Sequence, residues 1–263
     1  MIEFLDNLDT SIFLAVNGAH SPFFDNFMTM FTGRFIWIPM YAMVLWILFR
    51  SCRWQTAVVY LLALVGAIAL TDQTCASVIR PAVERLRPSN IENSISDFTY
   101  IVNGYRGGSY GFPSCHAANS FALVMFVALF VRRRAFTLFI VGWALLNSYS
   151  RLYLGVHYPG DLFVGAVVGS LFGVGCYYVA RMVTSRIPAL ASAANPAGFG
   201  EADSSSVILK QLTPGASLDS LTPSPSLRRE IATVSTFRLV ASDMMIAAFA
   251  LTLAVIIIAS ALR

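Results

Sequence analysis

The side chains best suited to chemistry in this 263-residue chain gather in three short segments. The first runs Arg80-Pro81-Ala82-Val83-Glu84-Arg85-Leu86-Arg87-Pro88 and the second is Pro113-Ser114-Cys115-His116. The third begins at Ser150-Arg151 and closes with His157-Tyr158-Pro159-Gly160-Asp161. Together they hold two histidines, four arginines, two serines and a carboxylate four residues after a histidine. Planar guanidiniums match phosphate geometry and offset the charge that develops when a phosphoryl group is transferred. Metal-assisted hydrolysis needs clustered carboxylates or histidines, and these segments offer Asp161 and Glu84 alone. No metal and no cofactor is therefore expected. The four cysteines, Cys52, Cys75, Cys115 and Cys176, lie far apart without a CxxC pair, which leaves no zinc site or disulfide framework to argue from.

What must position these residues is a membrane bundle. The chain is 57% hydrophobic and 12% charged with mean hydropathy +0.67, whereas a soluble domain carries roughly a quarter charged residues. Six apolar stretches are long enough, with their flanks, to be spans: about Phe35 to Phe49, Trp54 to Val78, Ala117 to Val131, Ala135 to Tyr149, Leu162 to Ala180 and Leu239 to Leu262. Ahead of them, Leu8 to Asn17 and Pro22 to Phe31 mix apolar residues with Asp9, Asp25 and Asn26, which suits helices lying in the interface. The expected fold is all-α, a polytopic helical membrane bundle of about six transmembrane helices with N-terminal interfacial helices. Residues 1–187 form the catalytic membrane domain in this reading. Residues 188–237, rich in Ser, Ala, Pro and Thr, read as a disordered linker, and 238–263 as a C-terminal transmembrane helix. Deleting Ala189 to Arg263 is expected to leave a folded, active core.

Arginine placement sets the orientation. Arg50 and Arg53, Arg132 to Arg134, and Arg181 and Arg186 fall on one side, which the positive-inside rule makes cytoplasmic. The three reactive segments then share the opposite face, because two crossings separate each return of the chain to that side. Net charge is +4, and a basic protein with long apolar runs places its arginines at membrane faces, so nucleic acid is not an expected partner. The expected partners are the bilayer and a membrane lipid phosphate; the sequence leaves oligomeric state open.

These segments resemble the three signature motifs of the type 2 phosphatidic acid phosphatase superfamily, Lys-x6-Arg-Pro, Pro-Ser-Gly-His and Ser-Arg-x5-His-x3-Asp. The third is matched completely, and Asn17-Gly18-Ala19-His20-Ser21-Pro22-Phe23-Phe24-Asp25 is similar to the opening of bacterial members. The resemblance implies a metal-independent phosphatase in which His157 attacks phosphorus to form a phosphohistidine, Asp161 holds its ring in the reactive tautomer, and His116 protonates the leaving alkoxide and later activates water. It also implies that Arg80, Arg87 and Arg151, with Ser114 and backbone amides near Cys115, hold the phosphoryl oxygens. Two positions depart from the pattern: Arg80 stands where lysine is usual and Cys115 where glycine is usual. Arginine keeps the charge but demands different geometry. From the arginine bias the site is expected to face the periplasm of a bacterial inner membrane, and the resemblance to bacterial members with such an outward site makes undecaprenyl diphosphate the expected substrate. Lipid A and phosphatidylglycerophosphate are the alternatives, as is transfer to another lipid.

Other features carry blander readings. His20 is expected to be structural, and Asp72 and Gln73 to bond between helices. The stripe Gly165, Gly169 and Gly173 is expected to pack within the monomer. Arg85 and Arg106 divide between lipid headgroup contacts and solvated loop charges. The glycine- and tyrosine-rich loop Tyr100 to Phe112 reads as a mobile cover over the headgroup pocket, or as plain turns.

Overall fold

Apolar runs in a bilayer must satisfy their own backbone groups, which leaves the helix as the natural state of such segments. The computed structural model describes residues 2–186 and 225–262. Among the described residues the regular elements are all helical, with one isolated antiparallel bridge between Leu86 and Tyr110. Helix α1 is Ile2–Asn17 and α2 is Pro22–Phe31, the latter started by Pro22 and capped by Ser21, whose hydroxyl accepts from the Phe24 N–H at 3.3 Å. Helix α3 is Ile38–Ser51. Helix α4, Trp54–Gln73, runs on through a π-helical turn at Thr74–Ile79 into Arg80–Val83 and stops at Glu84, whose φ is 50°. Helices α5 (Cys115–Val131), α6 (Arg134–Tyr153), α7 (Pro159–Arg186) and α8 (Pro225–Ala261) complete the bundle.

Helices occupy all six stretches read as spans, but length and composition do not single out six. Trp54–Val83, Pro159–Arg186 and Asp243–Ala261 are long and apolar enough to cross a membrane alone, and α2 with the segment Phe35–Ser51 qualifies as a pair bent by 67°. Helix α5 has only 17 residues, and α6 ends in the polar run Asn147, Ser148, Ser150 and Arg151. Leu62, Phe163 and Leu171 point outward from the bundle, as lipid-facing residues do.

The centre of the bundle is α5 against α7, with α4 on both and α6 beside α5. Small residues make this possible. A Cβ at Gly165, Gly169 or Gly173 of α7 would be driven into the carbonyls of Ser114, Ala118 and Ala122 on α5, so the glycine stripe packs within the chain. Helix α8 lies against α2 and α3. Its Phe249 stacks on Trp37 at 5.1 Å and meets Phe139 edge-on at 4.4 Å, while Met245 and Ile256 are fully buried.

The structure differs from one expectation and bears on another. The last helix begins at Pro225, so residues 225–237 are helical where a disordered linker was expected; the rest of that linker, 188–224, lies outside the described residues. Helix α8 also covers Trp37, a contact that bears on the expected truncation.

Candidate active site

The three reactive segments meet at one end of the bundle, each delivered by a helix end. The π-helical turn widens α4 by a residue just before Arg80 and so sets which way that side chain points, a device common at functional sites. Arg80 Nη2 donates to the Pro113 carbonyl at 3.1 Å and to Cys115 Sγ at 3.0 Å, tying the end of α4 to the start of α5. The turn after α6 passes through Gly155, whose φ of +76° and whose approach to the Tyr100 carbonyl both exclude a side chain. His157 follows that turn, and Pro159 opens α7 with Asp161 in its first turn.

His157 and Asp161 are buried, at 1% and 0% exposure. Their side chains meet at 3.2 Å between Nδ1 and Oδ2. The other ring nitrogen, Nε2, lies 2.9 Å from Arg87 Nη1. A guanidinium only donates, so Nε2 carries the lone pair and the proton sits on Nδ1, facing the carboxylate. Arg87 Nη1 also donates to the Val156 carbonyl at 3.0 Å. Burial, with Arg87, Arg151 and Arg80 around the ring, holds the His157 imidazole well below its ordinary pKa. Burial and the neighbouring Arg80 and Arg151 likewise push Arg87 down to about 10. Such mutual repulsion among arginines marks a site made for an anion.

A cavity of about 560 Å³ opens beside this pair, with Arg80, Arg87, Cys115, His116, Arg151 and His157 among its walls. Each of the three arginines keeps a buried Nε without a hydrogen-bond partner among the described residues. Arg151 donates to Thr32 Oγ1 at 3.2 Å and lies over the Tyr105 ring. Below His116 the cavity continues along the same face of α5, past Asn119, Ser120 and Leu123, to Asp72, Trp143 and Asn147. The Asn119 amide donates to Asp72 at 3.0 Å and the Asn147 amide to Ser120 at 2.7 Å.

Most residues singled out by sequence are thus brought together. Ser114 is the exception among the expected phosphate ligands: it is fully buried, does not line the cavity, and its hydroxyl accepts from the Ala117 N–H as the cap of α5. Asp72 does bond between helices, whereas Gln73 only accepts from Ser77, one turn along its own helix. Arg106 stays exposed and braces its loop, donating to the Ser89 carbonyl at 2.6 Å and to Ser96 Oγ at 3.1 Å. His20 stacks on Tyr100 at 3.5 Å, in keeping with a structural role.

The loop Tyr100 to Phe112 is packed onto the site. Its Gly111 N–H donates to the Arg85 carbonyl at 2.9 Å, and a Cβ on Gly111 would stand 3.0 Å from Asp161 Oδ2 and 3.1 Å from Arg87 Cγ. Asn17 bonds both to this loop, at Tyr100, and to the Tyr153 carbonyl at the end of α6. Asp25 accepts from the Tyr153 hydroxyl at 2.6 Å and from the Tyr100 hydroxyl at 3.0 Å. The N-terminal segment around these two residues therefore anchors the loop to the bundle.

Arg85 was missed. It reaches inward to Asp161 at 3.1 Å and outward to Asp9 at 2.7 Å and Asp6 at 2.8 Å. The only sequence signal was the pair of acidic residues on α1, seventy-odd positions away, and nothing local linked them to the first motif.

Comparison with known proteins gives this geometry a context. The PAP2 superfamily model matches residues 56–185. The chain is 54% identical over 187 residues to the lipid A 4'-phosphatase of Bacteroides thetaiotaomicron, a match covering 71% of this chain and 83% of that protein. It is 31% identical over 203 residues to the lipid A 4'-phosphatase of Porphyromonas gingivalis, covering 77% and 86%. A match to the undecaprenyl-diphosphatase of Sulfolobus acidocaldarius is shorter, 30% identical over 144 residues and covering 55% and 63%.

Proposed function

The chain belongs to the PAP2 superfamily and is an integral-membrane lipid phosphatase of that metal-independent type, and from this premise we propose that it removes the 4'-phosphate of lipid A through a phosphohistidine at His157. The observation that carries the substrate is the 54% relative, matched over 83% of its length and bearing the lipid A 4'-phosphatase name. Undecaprenyl diphosphate, the substrate first expected, rests on the shorter match alone.

The chemistry follows from the site. Arg80, Arg87 and Arg151 receive the phosphate oxygens, their unpartnered Nε groups adding donors as the guanidiniums turn toward the anion. Arg87 releases Nε2 to do so, and the freed lone pair attacks phosphorus while the proton on Nδ1 stays with Asp161. The bond from phosphorus to the sugar oxygen breaks, and His116 gives that oxygen its proton. Water then enters, His116 takes a proton back, and the P–N bond breaks to release phosphate.

The leaving group must sit on the His116 side. There the next turn of α5 presents Asn119 and Ser120, with Asn147 opposite and Trp143 deeper. Hydroxyl- and amide-bearing sugar suits those walls, whereas the leaving group of a polyprenyl diphosphate is itself a phosphate. The arginine bias supports a site on the periplasmic face of an inner membrane, at the level of the lipid headgroups.

A panel assay tests this reading: phosphate release by the purified protein in mixed micelles from lipid A carrying 1- and 4'-phosphates, from undecaprenyl diphosphate and from phosphatidylglycerophosphate. Lipid A is expected to be dephosphorylated fastest and at the 4' position, with free phosphate as the product. A faster rate on undecaprenyl diphosphate would replace the substrate assignment, and loss of lipid phosphate without free phosphate would reveal a transferase.

A further inference from the structure

Asp161 is fully buried, yet its two oxygens are held very differently. Oδ2 accepts from His157 Nδ1 at 3.2 Å and from the Tyr158 N–H at 3.0 Å. Oδ1 accepts from Arg85 Nη1 at 3.1 Å. Arg85 is fixed in turn: the same nitrogen donates to Asp9 Oδ2 at 2.7 Å, Nη2 donates to Asp6 at 2.8 Å, and the guanidinium lies 3.9 Å from the centre of the Tyr158 ring. The other oxygen of Asp9 accepts from the Gly160 N–H at 2.7 Å. Asp9 therefore grips both the arginine that holds Asp161 and the backbone one residue before it. Asp6 is 64% exposed, so its pairing is screened and contributes little. Asp9 and Arg85 are largely covered, at 13% and 21%.

We infer that Asp9 and Arg85 are positioning residues, through which helix α1, outside the segment 56–185 matched by the family, aims the His157 imidazole by fixing the carboxylate of Asp161. A carboxylate bonded only through Oδ2 could pivot about that atom and carry the ring with it. The Arg85 bond to Oδ1 removes that freedom and supplies the direct cationic partner that a buried carboxylate needs. The inference rests on His157 being the nucleophile. It assigns α1 a role in turnover rather than in phosphate binding, because Arg80, Arg87 and Arg151 bind phosphate without it.

The test uses the full-length protein with Arg85→Gln, Arg85→Lys, Asp9→Asn and the Asp9→Asn/Arg85→Gln pair, measuring kcat, KM and competitive inhibition by orthophosphate. Arg85→Gln should lower kcat about 30-fold and Asp9→Asn about tenfold, with KM and phosphate inhibition within about twofold of wild type. Arg85→Lys should recover part of the loss, and the double variant should be no slower than Arg85→Gln, since both act through one carboxylate. Wild-type kcat in Asp9→Asn, a near-isosteric change that keeps the test open if Arg85→Gln misfolds, would overturn the inference. So would losses that add, or losses that appear as weakened phosphate inhibition. An active His157→Ala would instead sink the nucleophile assignment beneath it.

Discussion

Asp161→Asn is the sharpest perturbation of the His157 pair, because its consequences can be worked through bond by bond. Three donors enter the carboxylate: His157 Nδ1, the Tyr158 N–H and Arg85 Nη1. An asparagine has one oxygen to offer. Placed where Oδ2 was, that oxygen keeps His157 and Tyr158 but turns the amide NH2 against Arg85, orphaning a charged hydrogen bond worth about 1.5–3 kcal/mol. Placed where Oδ1 was, it keeps Arg85 and sets the NH2 against the Tyr158 N–H. The ring must then accept at Nδ1 and carry its proton on Nε2, facing Arg87 2.9 Å away. The lone pair that attacks phosphorus is lost in that arrangement, the wrong-tautomer outcome that costs about 10⁴-fold in a serine protease triad. The first arrangement keeps the tautomer but removes the negative charge that steadies the phosphorylated ring. A kcat loss of about 10²- to 10⁴-fold is therefore expected, equivalent to about 3–5 kcal/mol, with KM close to wild type because the three cavity arginines are untouched. Initial rates of phosphate release from lipid A in detergent read both constants. A loss of less than about tenfold, or one confined to KM, would refute the reasoning.

Three further outcomes are expected. Gly169→Val should lower the thermal midpoint, because its side chain enters the Ala118 carbonyl and overpacking costs about 1–3 kcal/mol; Gly175→Ala, with open space at that position, should not. Stability should hold above about pH 6.5 and decline as pH falls below it: the unfolded chain then takes up a proton that His157, with its depressed pKa, does not bind in the native state. Unchanged thermal midpoints between pH 7.5 and 5.5 in wild type, matching those of His157→Ala, would contradict that sign. Truncation after residue 186 should lower both thermal midpoint and activity, since α8 packs Phe249 on Trp37 and Trp37 lines the cavity; a fully active, equally stable fragment would show that this packing is incidental.

The reactive constellation was legible because motif spacing and span alternation act together: once α4 ends where α5 begins, and α6 and α7 return the chain to that face, His116 and His157 have to meet. The glycine stripe was legible for a similar reason, as spacing of four on a helix can only mean a close neighbour. What escaped were contacts that depend on tertiary docking. Nothing in the first motif says that Arg85 turns toward α1, and Asp9 reads locally as a polar residue on an interfacial helix. Ser114 could not be placed from sequence because the same residue type serves as phosphate donor and as helix cap, and in the structure its position just before Cys115 makes it the cap of α5. The tyrosine loop read as a cover since glycines signal turns; Gly111 is there because Asp161 and Arg87 leave no room for a Cβ. The start of α8 lay in a Ser- and Pro-rich stretch whose composition hides the helix that begins at Pro225.

The central claim, that His157 carries the phosphoryl group, is tested most directly by rapid quench of the enzyme with lipid A labelled at its phosphates, followed by mapping of the label. The account predicts an acid-labile, base-stable phosphoenzyme on the peptide containing His157, formed no slower than phosphate is released and absent from His157→Ala. Label on another residue, or undiminished turnover by His157→Ala, would contradict it.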